Sequence, residues 1–435
     1  MAGGLGTRMR SPKPKVLHDL CGAPMLAWVV AAALEAGSDD VVVVVSASIA
    51  DAVTAAFPEV RIAVQEPANG TGHAVEVGLA ALAGRAEHVL VLSGDTPAIR
   101  AETVRAVREA AAQEGVDGAL AIADVAPPHA YGRVVRDGST VERIVEARDA
   151  SPDELEISAI NVGIYSFRAA ALGEALARVG PHNAQGERYL TDAVALLEGR
   201  VVGVDESDVD SCAGINSMLE LAAVDDQLRH RLLADAMLAG VRIVDPSSTW
   251  IDRDVRLAPG SRIEPFCQLR GDTSVAEDAI VGPYVSAEGA TIGVGCRVGP
   301  FAYLRPGTVL HERSSVGRFV VLKATEIGPG SKVPHLSYIG DATIGSGVNI
   351  GAGTITANYD GYEKHRTEVA DGARTSSNSV LVAPVRIGEG ATVAAGSVIT
   401  EDVPDGALGI ARPRQTVKEG YAERVAARRN EGARR

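Results

Sequence analysis

Residues 326–354 read EIGPGSKVPHLSYIGDATIGSGVNIGAGT, and within two successive runs an aliphatic side chain recurs at every sixth position. A six-residue period is typical of a hexapeptide β-helix, in which each aliphatic side chain points into the interior. Glycine often follows the aliphatic residue, and small residues allow a tight corner between flat strands. The stretch therefore predicts stacked coils with the inward side chains Ile327, Val333, Ile339, Ile344 and Ile350.

The same period extends on both sides of this stretch. It is interrupted between Thr356 and Val369 by an insertion that contains ANYDGYEKHR. Loops that leave a regular coil commonly carry binding residues, although a solvated loop is the usual outcome for a single insertion. We therefore predict a β-helix domain over residues 241–415. Its further inward positions are Leu257, Ile263, Leu269, Val275, Val281, Ile292, Val298, Leu304, Leu310, Val316, Leu322, Val369, Thr375, Leu381, Ile387, Val393 and Ile399.

Residues 1–216 alternate apolar, strand-like runs with alanine-rich helical stretches, a pattern typical of a mostly parallel α/β sheet. The runs DDVVVVVS and HVLVLSGD predict strands, and MLAWVVAAALEAG and HAVEVGLAALAG predict helices. Ligands of such sheets bind beyond the carboxyl ends of the strands, where SGDTP falls. Asp95 in that motif has two interpretations, a metal-binding carboxylate or a turn or helix cap. Residues 217–240 predict a linker helix ending at Gly240, and residues 416–435 form a basic tail whose composition is also that of a disordered segment.

Composition excludes several classes of protein. The net charge of −14 argues against a nucleic-acid partner or an anionic membrane surface. The four cysteines, at positions 21, 212, 267 and 296, lack the spacing of a zinc site or a disulfide framework. The sequence has neither a signal peptide nor a long apolar run. We therefore expect a soluble, cytoplasmic protein.

The chain opens with MAGGLGTRMRSPKPKVLH, a glycine-rich loop with basic residues. Backbone N–H groups of Gly3, Gly4 and Gly6 would approach phosphate oxygens without side-chain clash. Arg8 and Lys15 would offset the charge that builds on a leaving pyrophosphate. Such loops normally follow a buried strand, and here the loop begins at Met1.

The ordered set of motifs resembles one bacterial family. GLGTRM, PKVLH, QEPANGTGHA, LSGDTP, YGRVVR, IVEARDA, INVGIY and NAQGERYLTD resemble the sugar-nucleotide pyrophosphorylases. FAYLRPGTVL, GRFVVLKATEIG, HLSYIGDATIGSGVNIGAGT, NYDG and LVAPVRIGEGATVAAGSVIT extend the resemblance to nearly the whole chain. The family is that of the bifunctional N-acetylglucosamine-1-phosphate uridyltransferases and glucosamine-1-phosphate acetyltransferases, which make UDP-N-acetylglucosamine. The resemblance implies a Rossmann-like domain, a helical arm and a left-handed parallel β-helix that assembles as a homotrimer.

For uridyl transfer, the resemblance implies a sugar-1-phosphate oxygen that attacks the α-phosphorus of UTP with release of pyrophosphate. Mg²⁺ keeps waters and takes phosphate oxygens, so it needs few protein ligands. The implied ligands are Asp95 and Asn216, although Asn216 is equally interpreted as a helix cap. The implied nucleotide and sugar site contains Gly3, Gly4, Gly6, Lys15, Gln65, Gly70, Thr71, Ser93, Gly94, Asp95, Gly132, Glu146, Asn161 and Asn216.

For acetyl transfer, an amine must attack the thioester of acetyl-CoA. Because an ammonium cannot attack, a base with a near-neutral pKa is required, and histidine fits best. The resemblance implies His335 as that base, although a lone histidine is more often structural. Glucosamine-1-phosphate would contact Arg305, Lys323, Tyr338, Asn349 and Lys364. Acetyl-CoA would contact Ala352, Asn358, Tyr359, Ser377, Ala395 and Arg412, from more than one chain of the trimer.

Three functions are compatible with these patterns. The leading one is the bifunctional enzyme. The second is an acetyltransferase whose N-terminal half is structural or nucleotide-sensing. The third is a nucleotidyltransferase whose β-helix serves only assembly, but a scaffold needs neither His335 nor a cluster such as NYDG with Lys364. The first two differ over the opening: the resemblance implies a strand before the loop, of which only MAGG remains. We expect either a start upstream of Met1 or an impaired uridyltransferase half.

Overall fold

The alternating pattern of the first half forms strands and helices in the predicted order. The computed structural model describes residues 1–432 except Leu5, His182 and Ala184. Their contacts define two units, Met1–Leu232 and the chain from Leu233 onward. The first unit contains the strands β1 (Asp19–Leu20), β2 (Ala23–Pro24), β3 (Val42–Ser46), β4 (Arg61–Gln65), β5 (His88–Leu92), β6 (Val116–Asp124), β7 (Arg133–Asp137), β8 (Thr140–Val145), β9 (Ala159–Arg168) and β10 (Arg200–Asp205).

Helices connect these strands, and short 3-10 segments connect some of the loops. The helices are α1 (Met25–Glu35), α2 (Ala50–Ala56), α3 (Gly70–Leu82), α4 (Ala101–Ala111), α5 (Pro152–Leu155), α6 (Ala169–Arg178) and α7 (Leu190–Val194), followed by α8 (Met218–Leu238). The 3-10 segments of the chain are Thr7–Met9, Lys15–Leu17, Ala47–Ile49, Val209–Cys212 and Pro246–Ser248.

The main sheet is mixed, so the expectation of a mostly parallel sheet was wrong. Its strand order is β5-β9-β6-β10-β8-β7. Only the β10–β6 pairing in this sheet is parallel, and β9 lies antiparallel between β5 and β6. β3 and β4 form a separate parallel pair. A continuous apolar run shows that a strand is buried but not in which direction it runs.

Helices cover both faces of the main sheet. α1 and α4 pack on one face, where Val104 and Val107 contact a cluster that includes Ile160. α3, α6 and α7 pack on the other face, where Leu172 and Leu190 contact a second cluster. This three-layer packing leaves the carboxyl end of β5, with Ser93–Asp95, at the edge of the sheet, where loops from several elements converge.

The first residues of the chain occupy a strand position between β3 and β5. Ala2 N donates to Val44 O at 2.7 Å, and the Met1 amino group donates to Leu92 O at 2.8 Å. Gly94 N donates to Met1 O at 2.7 Å, which completes a parallel pairing of Met1 with Ser93. Apart from this pairing of Met1 and Ala2, no strand of the described residues lies between β3 and β5.

The hexapeptide period forms a parallel β-helix with three flat faces. Face A contains Arg242–Ile243, Arg262–Ile263, Ile280–Val281, Arg297–Val298, Ser315–Arg318 and Lys332–His335, and continues through single bridges at Asn349 to Arg374–Thr375, Thr392–Val393 and Leu408–Gly409. Face B contains Trp250–Ile251, Gln268–Arg270, Ser286–Glu288, Tyr303–Leu304, Val321–Lys323, Tyr338–Gly340, Ile355–Ala357, Val380–Val382 and Val398–Ile399. Face C contains Arg256–Leu257, Ser274–Val275, Ala290–Ile292, Thr308–Leu310, Glu326–Ile327, Ala342–Ile344, Thr367–Val369 and Val385–Ile387.

The predicted inward positions are buried along this β-helix. Leu257, in the first complete turn, is the exception among them, because it is only half-buried. A column of stacked rings stands outside, at the corner between faces A and B. Phe266, Tyr284, Phe301 and Phe319 stack with centroid separations of 4.7, 4.9 and 5.3 Å. Each ring pair of this kind contributes about 1 kcal/mol beyond its buried area.

Two helices lie outside these layers. α8 covers the segment for which the sequence predicted a linker helix, and Gly240 beyond it has a φ of 95°. In the basic tail, α9 spans Tyr421–Gly432, where the sequence favoured a disordered segment; residues 433–435 lie outside the described residues. In the portion of the chain that the structure describes, no helix is long and apolar enough to cross a membrane.

Candidate functional sites

The end of β5 and the segment before α8 bring two side-chain oxygens together, one from Asp95 and one from Asn216. Ile215 N donates to Asp95 O at 2.9 Å, which places the side chain of Asn216 beside that of Asp95. The ammonium of Lys15 lies between them, with Nζ 2.6 Å from Asp95 Oδ2 and 3.3 Å from Asn216 Oδ1. Lys15 is only 7% exposed, so its charge is stabilised mainly by these oxygens. The Asp95–Asn216 pair therefore already attracts a cation.

Two glycines of the opening loop lie against the same lysine, and a third lies against Gln65. Gly6 has a φ of 61°, and a Cβ added there would come within 2.7 Å of Lys15 Cβ. A Cβ on Gly4 would lie 3.9 Å from Lys15 Nζ, and one on Gly3 would lie 3.5 Å from Gln65 Oε1. The structure thus brings Gly4 and Gly6 against Lys15, and Gly3 against Gln65. Arg8 is exposed on Thr7–Met9 and makes no ion pair among the residues described.

Close backbone approach also explains the glycine after β5. A Cβ on Gly94 would lie 2.9 Å from Met1 O. Ser93 Oγ lies 3.3 Å from the position where Gly163 would carry a Cβ. The predicted Ser93, Gly94 and Asp95 therefore form a turn that is closed on one side by the opening residues.

Gln65, Gly70 and Thr71 form a second group at the start of α3. The Gln65 side chain is 5% exposed, and its Nε2 donates to Gly70 O at 3.0 Å. Gly70 has a φ of 83°, and a Cβ there would lie 2.4 Å from Arg188 O. Thr71 Oγ1 accepts from Leu190 N at 2.9 Å. These contacts fix the start of α3 against the segment that leads into α7.

Gly132, Glu146 and Asn161 form the third group of the first unit. A Cβ on Gly132 would lie 3.4 Å from Glu146 Oε2, and Asn161 N donates to Gly132 O at 2.9 Å. Burial raises the pKa of Glu146. The hydroxyl of Thr191, which donates to Glu146 Oε1 at 3.1 Å, has the opposite and smaller effect on this pKa. Asn161 Nδ2 donates to the hydroxyl of Tyr165 at 2.6 Å. Sequence reasoning missed Thr191 and Tyr165, although both fall within the quoted motifs YLTD and INVGIY.

In the β-helix, His335 ends a strand of face A at the corner with face B, and its side chain is exposed. Successive coils stack on this corner. Gly353 N donates to His335 O at 3.4 Å, Asn378 N to Ala352 O at 2.8 Å, and Gly396 N to Ser377 O at 2.9 Å. Four of the predicted positions therefore form one column along the corner: His335, Ala352, Ser377 and Ala395. Arg412 lies beside it, since its Cδ is 3.9 Å from where a Cβ of Gly396 would be.

A cationic cluster lies at the opposite end of face B. Lys323 Nζ is 3.4 Å from Asp341 Oδ2 and is also in contact with the Lys364 ammonium. That neighbouring ammonium lowers the pKa of Lys364, with a further contribution from Arg305. Asp341, which sequence reasoning missed, also accepts from Asn358 Nδ2. Crowding of three cations around one carboxylate is a favourable environment for a polyvalent anion.

The face B strand Tyr338–Gly340 runs from the corner near His335 to the cationic cluster. Asn349 lies apart from the cationic cluster, and Asn358 and Tyr359 lie apart from the column at the corner. Asn349 bridges Lys332 and Arg374 on face A, so the corner separates it from the cationic cluster. Asn358 and Tyr359 lie in the insertion at the cationic end, where Tyr359 pairs with Lys364. Within one chain they are therefore separated from the column of Ala352 and Ser377.

Comparison with known proteins defines the class. A model of the MobA-like NTP transferase domain matches residues 1–162. The bifunctional protein GlmU of Streptomyces coelicolor is 44% identical over 450 residues, covering 98% of this chain and 93% of that protein. The GlmU proteins of Caldanaerobacter subterraneus and Sorangium cellulosum are each 43% identical, covering 97% and 100% of this chain. The solved structure of apo UDP-glucose pyrophosphorylase aligns at 18% identity over 53% of this chain and 97% of that chain, and its TM-score of 0.43 is too low to define a fold.

A nucleotidyltransferase domain followed by a β-helix that carries an exposed histidine and a cationic cluster is the organisation of a bifunctional transferase. The chain belongs to the family of bifunctional GlmU proteins, and it carries both the uridyltransferase and the acetyltransferase domains. It is thus an enzyme of UDP-N-acetylglucosamine biosynthesis for the cell wall.

Proposed function

We propose that residues 241–415 acetylate glucosamine-1-phosphate with acetyl-CoA and that residues 1–216 then transfer uridyl from UTP to the product. The observation that carries this proposal is the arrangement around the face B strand Tyr338–Gly340. His335 lies at the corner before this strand, and the cluster of Lys323 and Lys364 lies at its other end. An acceptor that needs both a base and a cationic site carries an amine and a phosphate on one small molecule. Glucosamine-1-phosphate has this composition.

In the acetyl step, the phosphate lies against Arg305, Lys323 and Lys364, and the sugar extends along Tyr338 towards His335. His335 accepts the proton that the amine loses as its nitrogen attacks the thioester carbonyl. Collapse of the tetrahedral intermediate forms the amide and breaks the C–S bond, and the leaving thiolate takes up a proton. Acetyl-CoA binds along the column of Ala352, Ser377, Ala395 and Arg412.

In the uridyl step, the opening loop orients UTP for in-line attack by the sugar phosphate. Backbone N–H groups of Gly3, Gly4 and Gly6 face the phosphates, and Arg8 and Lys15 offset the charge of the leaving pyrophosphate. Gln65, Gly70 and Thr71 line the base, and Gly132, Glu146 and Asn161 bind the N-acetylated sugar.

The residues present fit Mg²⁺. Asp95 and Asn216 present a carboxylate and an amide oxygen, hard ligands of the kind Mg²⁺ takes in small number, and a buried ammonium already lies between them. Bound there, Mg²⁺ would neutralise phosphate charge. Lys15 would then move its ammonium from Asp95 towards the nucleotide.

Assembly completes the acetyl site in this proposal. The predicted acetyl-CoA contacts Asn358 and Tyr359 lie at the opposite edge of face B from Ala352 and Ser377. One ligand reaches both groups if adjacent chains of a homotrimer each supply one edge. We place this trimer in the cytoplasm, with small-molecule substrates and no nucleic-acid or membrane partner.

Two separate assays and a mass measurement test the proposal. Thiol release from acetyl-CoA should require glucosamine-1-phosphate, and pyrophosphate release from UTP should require N-acetylglucosamine-1-phosphate and Mg²⁺. Light scattering at micromolar concentration should give the mass of a trimer. A stable monomer with full acetyltransferase activity would exclude the shared acetyl site, and thiol release without the sugar phosphate would exclude the acceptor.

A further inference from the structure

Asp341 lies at the corner where the chain turns from face B to face C, directly after the strand Tyr338–Gly340. Its backbone is held on both sides. Asp341 N donates to Lys323 O at 2.9 Å, and Asp341 O accepts from Thr367 N at 3.1 Å. Asp341 has a φ of 49°, a left-handed conformation that aspartate and asparagine adopt more readily than most residues. The carboxylate therefore extends from a fixed point between two neighbouring coils.

One oxygen of this carboxylate contacts two residues of the proposed acetyl site. Asp341 Oδ2 lies 3.4 Å from Lys323 Nζ and also accepts a hydrogen bond from Asn358 Nδ2. Asn358 is only 8% exposed, and the side chains of Asp341 and Lys323 are 19% and 20% exposed. Hydrogen bonds to an ionised carboxylate are stronger than neutral ones. Asp341 therefore fixes a proposed phosphate contact and a proposed acetyl-CoA contact at the same time.

Gly340 shows how closely these groups converge. A Cβ on Gly340 would lie 2.5 Å from the hydroxyl oxygen of Tyr338 and 2.9 Å from Asn358 Nδ2. Lys323 is the register partner of Gly340 in the preceding coil. The side chains proposed to contact phosphate, sugar and acetyl-CoA thus meet beside one carboxylate.

The charge of Asp341 opposes that of its neighbours. Arg305, Lys323 and Lys364 are three cations, and Asp341 is the one carboxylate that forms an ion pair with this cluster in the described part of the β-helix. Three positive charges and one negative charge leave two, which matches a phosphate monoester that is close to a dianion at neutral pH. The acetylated product carries the same phosphate as the substrate, so a more cationic site would also retain the product.

We propose that Asp341 is a positioning residue with opposite effects on the two substrates: it holds Asn358 for acetyl-CoA, and its charge limits the affinity of the cationic cluster for the sugar phosphate. This inference rests on the acetyltransferase activity proposed above. It assigns to Asp341 a balance between holding the acceptor and releasing the product.

Two substitutions separate the charge from the hydrogen bond. Asp341→Asn removes the charge and keeps an oxygen that accepts from Asn358. Asp341→Ala removes both. Ala324 occupies the equivalent corner one coil earlier with a φ of 45°, so an alanine is compatible with the backbone of this corner.

Isothermal titration of the full chain measures the binding of each substrate. Both variants should bind glucosamine-1-phosphate about tenfold more tightly, because a negative charge next to the phosphate has been removed. This gain should shrink at high salt, since the side chains are partly exposed. Asp341→Ala should also bind CoA about tenfold more weakly, whereas Asp341→Asn should bind it nearly as the unaltered protein does.

Steady-state acetyl transfer should show the same split in Asp341→Ala, with a lower KM for glucosamine-1-phosphate and a higher KM for acetyl-CoA. A residue that only supports the fold would raise both constants. Unchanged or weaker binding of the sugar phosphate by Asp341→Asn would overturn the proposal, and so would unchanged CoA binding by Asp341→Ala.

Asp371→Asn is the matched control for the change in net charge. Asp371 is an exposed residue of the β-helix that accepts from Ser346 N at 2.7 Å and forms no ion pair among the residues described. Its substitution by asparagine removes one negative charge and keeps an acceptor oxygen. It should alter neither affinity, and equal tightening in Asp371→Asn and Asp341→Asn would contradict the local effect.

Titration with inorganic phosphate distinguishes this inference from the proposed function. If the unaltered protein binds inorganic phosphate but does not acetylate glucosamine-1-phosphate, the proposed function is wrong, and tightening of phosphate in Asp341→Asn still supports the role of the charge. If acetyl transfer occurs and Asp341→Asn binds phosphate no more tightly, only the role of Asp341 is wrong. Absence of phosphate binding by the unaltered protein would overturn both.

Discussion

The ammonium of Lys15 lies 2.6 Å from Asp95 Oδ2 and 3.3 Å from Asn216 Oδ1, the two oxygens that we propose as ligands of Mg²⁺. We therefore expect the metal and the lysine to compete for these oxygens when no nucleotide is present. Lys15→Met should increase the affinity of the nucleotide-free protein for Mn²⁺ at least tenfold, because two cations a few ångströms apart repel by several kcal/mol, about 4 at an intermediate dielectric. Paramagnetic resonance of free Mn²⁺ measures this affinity. Lys13→Met is the control, since Lys13 pairs with Asp19 at 2.8 Å. Unchanged affinity in Lys15→Met would contradict the competition.

Asp95→Asn should separate the two activities. The substitution removes the charge that faces the cation and should abolish pyrophosphate release from UTP, while thiol release from acetyl-CoA persists. Loss of both activities in a folded trimer would show that the sites are not separate.

Glu146→Gln should stabilise the first unit and weaken sugar binding. Burial raises the pKa of Glu146, so the folded state disfavours the ionised form, and stability is lost as the pH rises from the unfolded-state pKa through the folded-state pKa. The amide avoids that loss, and its advantage in melting temperature should shrink as the pH falls to where Glu146 is protonated. Thermal unfolding across this pH range measures the effect, and N-acetylglucosamine-1-phosphate titration measures binding. Glu142→Gln, on the exposed side of β8, is the control. If the melting temperatures of Glu146→Gln and Glu142→Gln fall alike as the pH rises, ionisation of buried Glu146 is excluded as the cause.

His335→Ala and Arg305→Ala should give different kinetic signatures. Loss of a general base typically lowers kcat about 10²–10⁴-fold, whereas loss of a phosphate contact mainly raises the KM for the sugar phosphate. Steady-state acetyl transfer distinguishes the two. His311→Ala, an exposed histidine elsewhere on the β-helix, should retain activity. Unchanged acetyl transfer in His335→Ala would remove the catalytic assignment.

The β-helix was predictable because its information is local. Each coil repeats the same inward and outward alternation, so Ile263 or Val393 can be assigned without knowledge of the rest of the chain. The direction of β9 was not predictable in this way, because buried strands of either direction are apolar. A helix at Tyr421–Gly432 was also missed, since its composition is highly charged.

The spatial grouping of the candidate-site residues was predictable to the extent that those residues lie in quoted motifs. Asp341 was missed because its role comes from Lys323 one coil earlier and from Asn358 in the insertion, which only the fold brings together. Thr191 and Tyr165 act by holding Glu146 and Asn161. Nothing in a single sequence distinguishes such a supporting residue from an ordinary polar side chain.

The regular register of the β-helix has an evolutionary consequence. Equivalent residues of face A, such as Arg262, Ile280, Arg297 and Ser315, follow one another after 17 or 18 positions. Duplication or deletion of one such unit in the gene preserves every inward side chain, whereas a single-residue insertion within a strand would reverse them. The coils before Arg305 contain none of the proposed acetyl-site residues, so their number can drift by whole units while the chemistry is conserved. The number of coils before Arg305 is therefore not set by the residues of the proposed acetyl site.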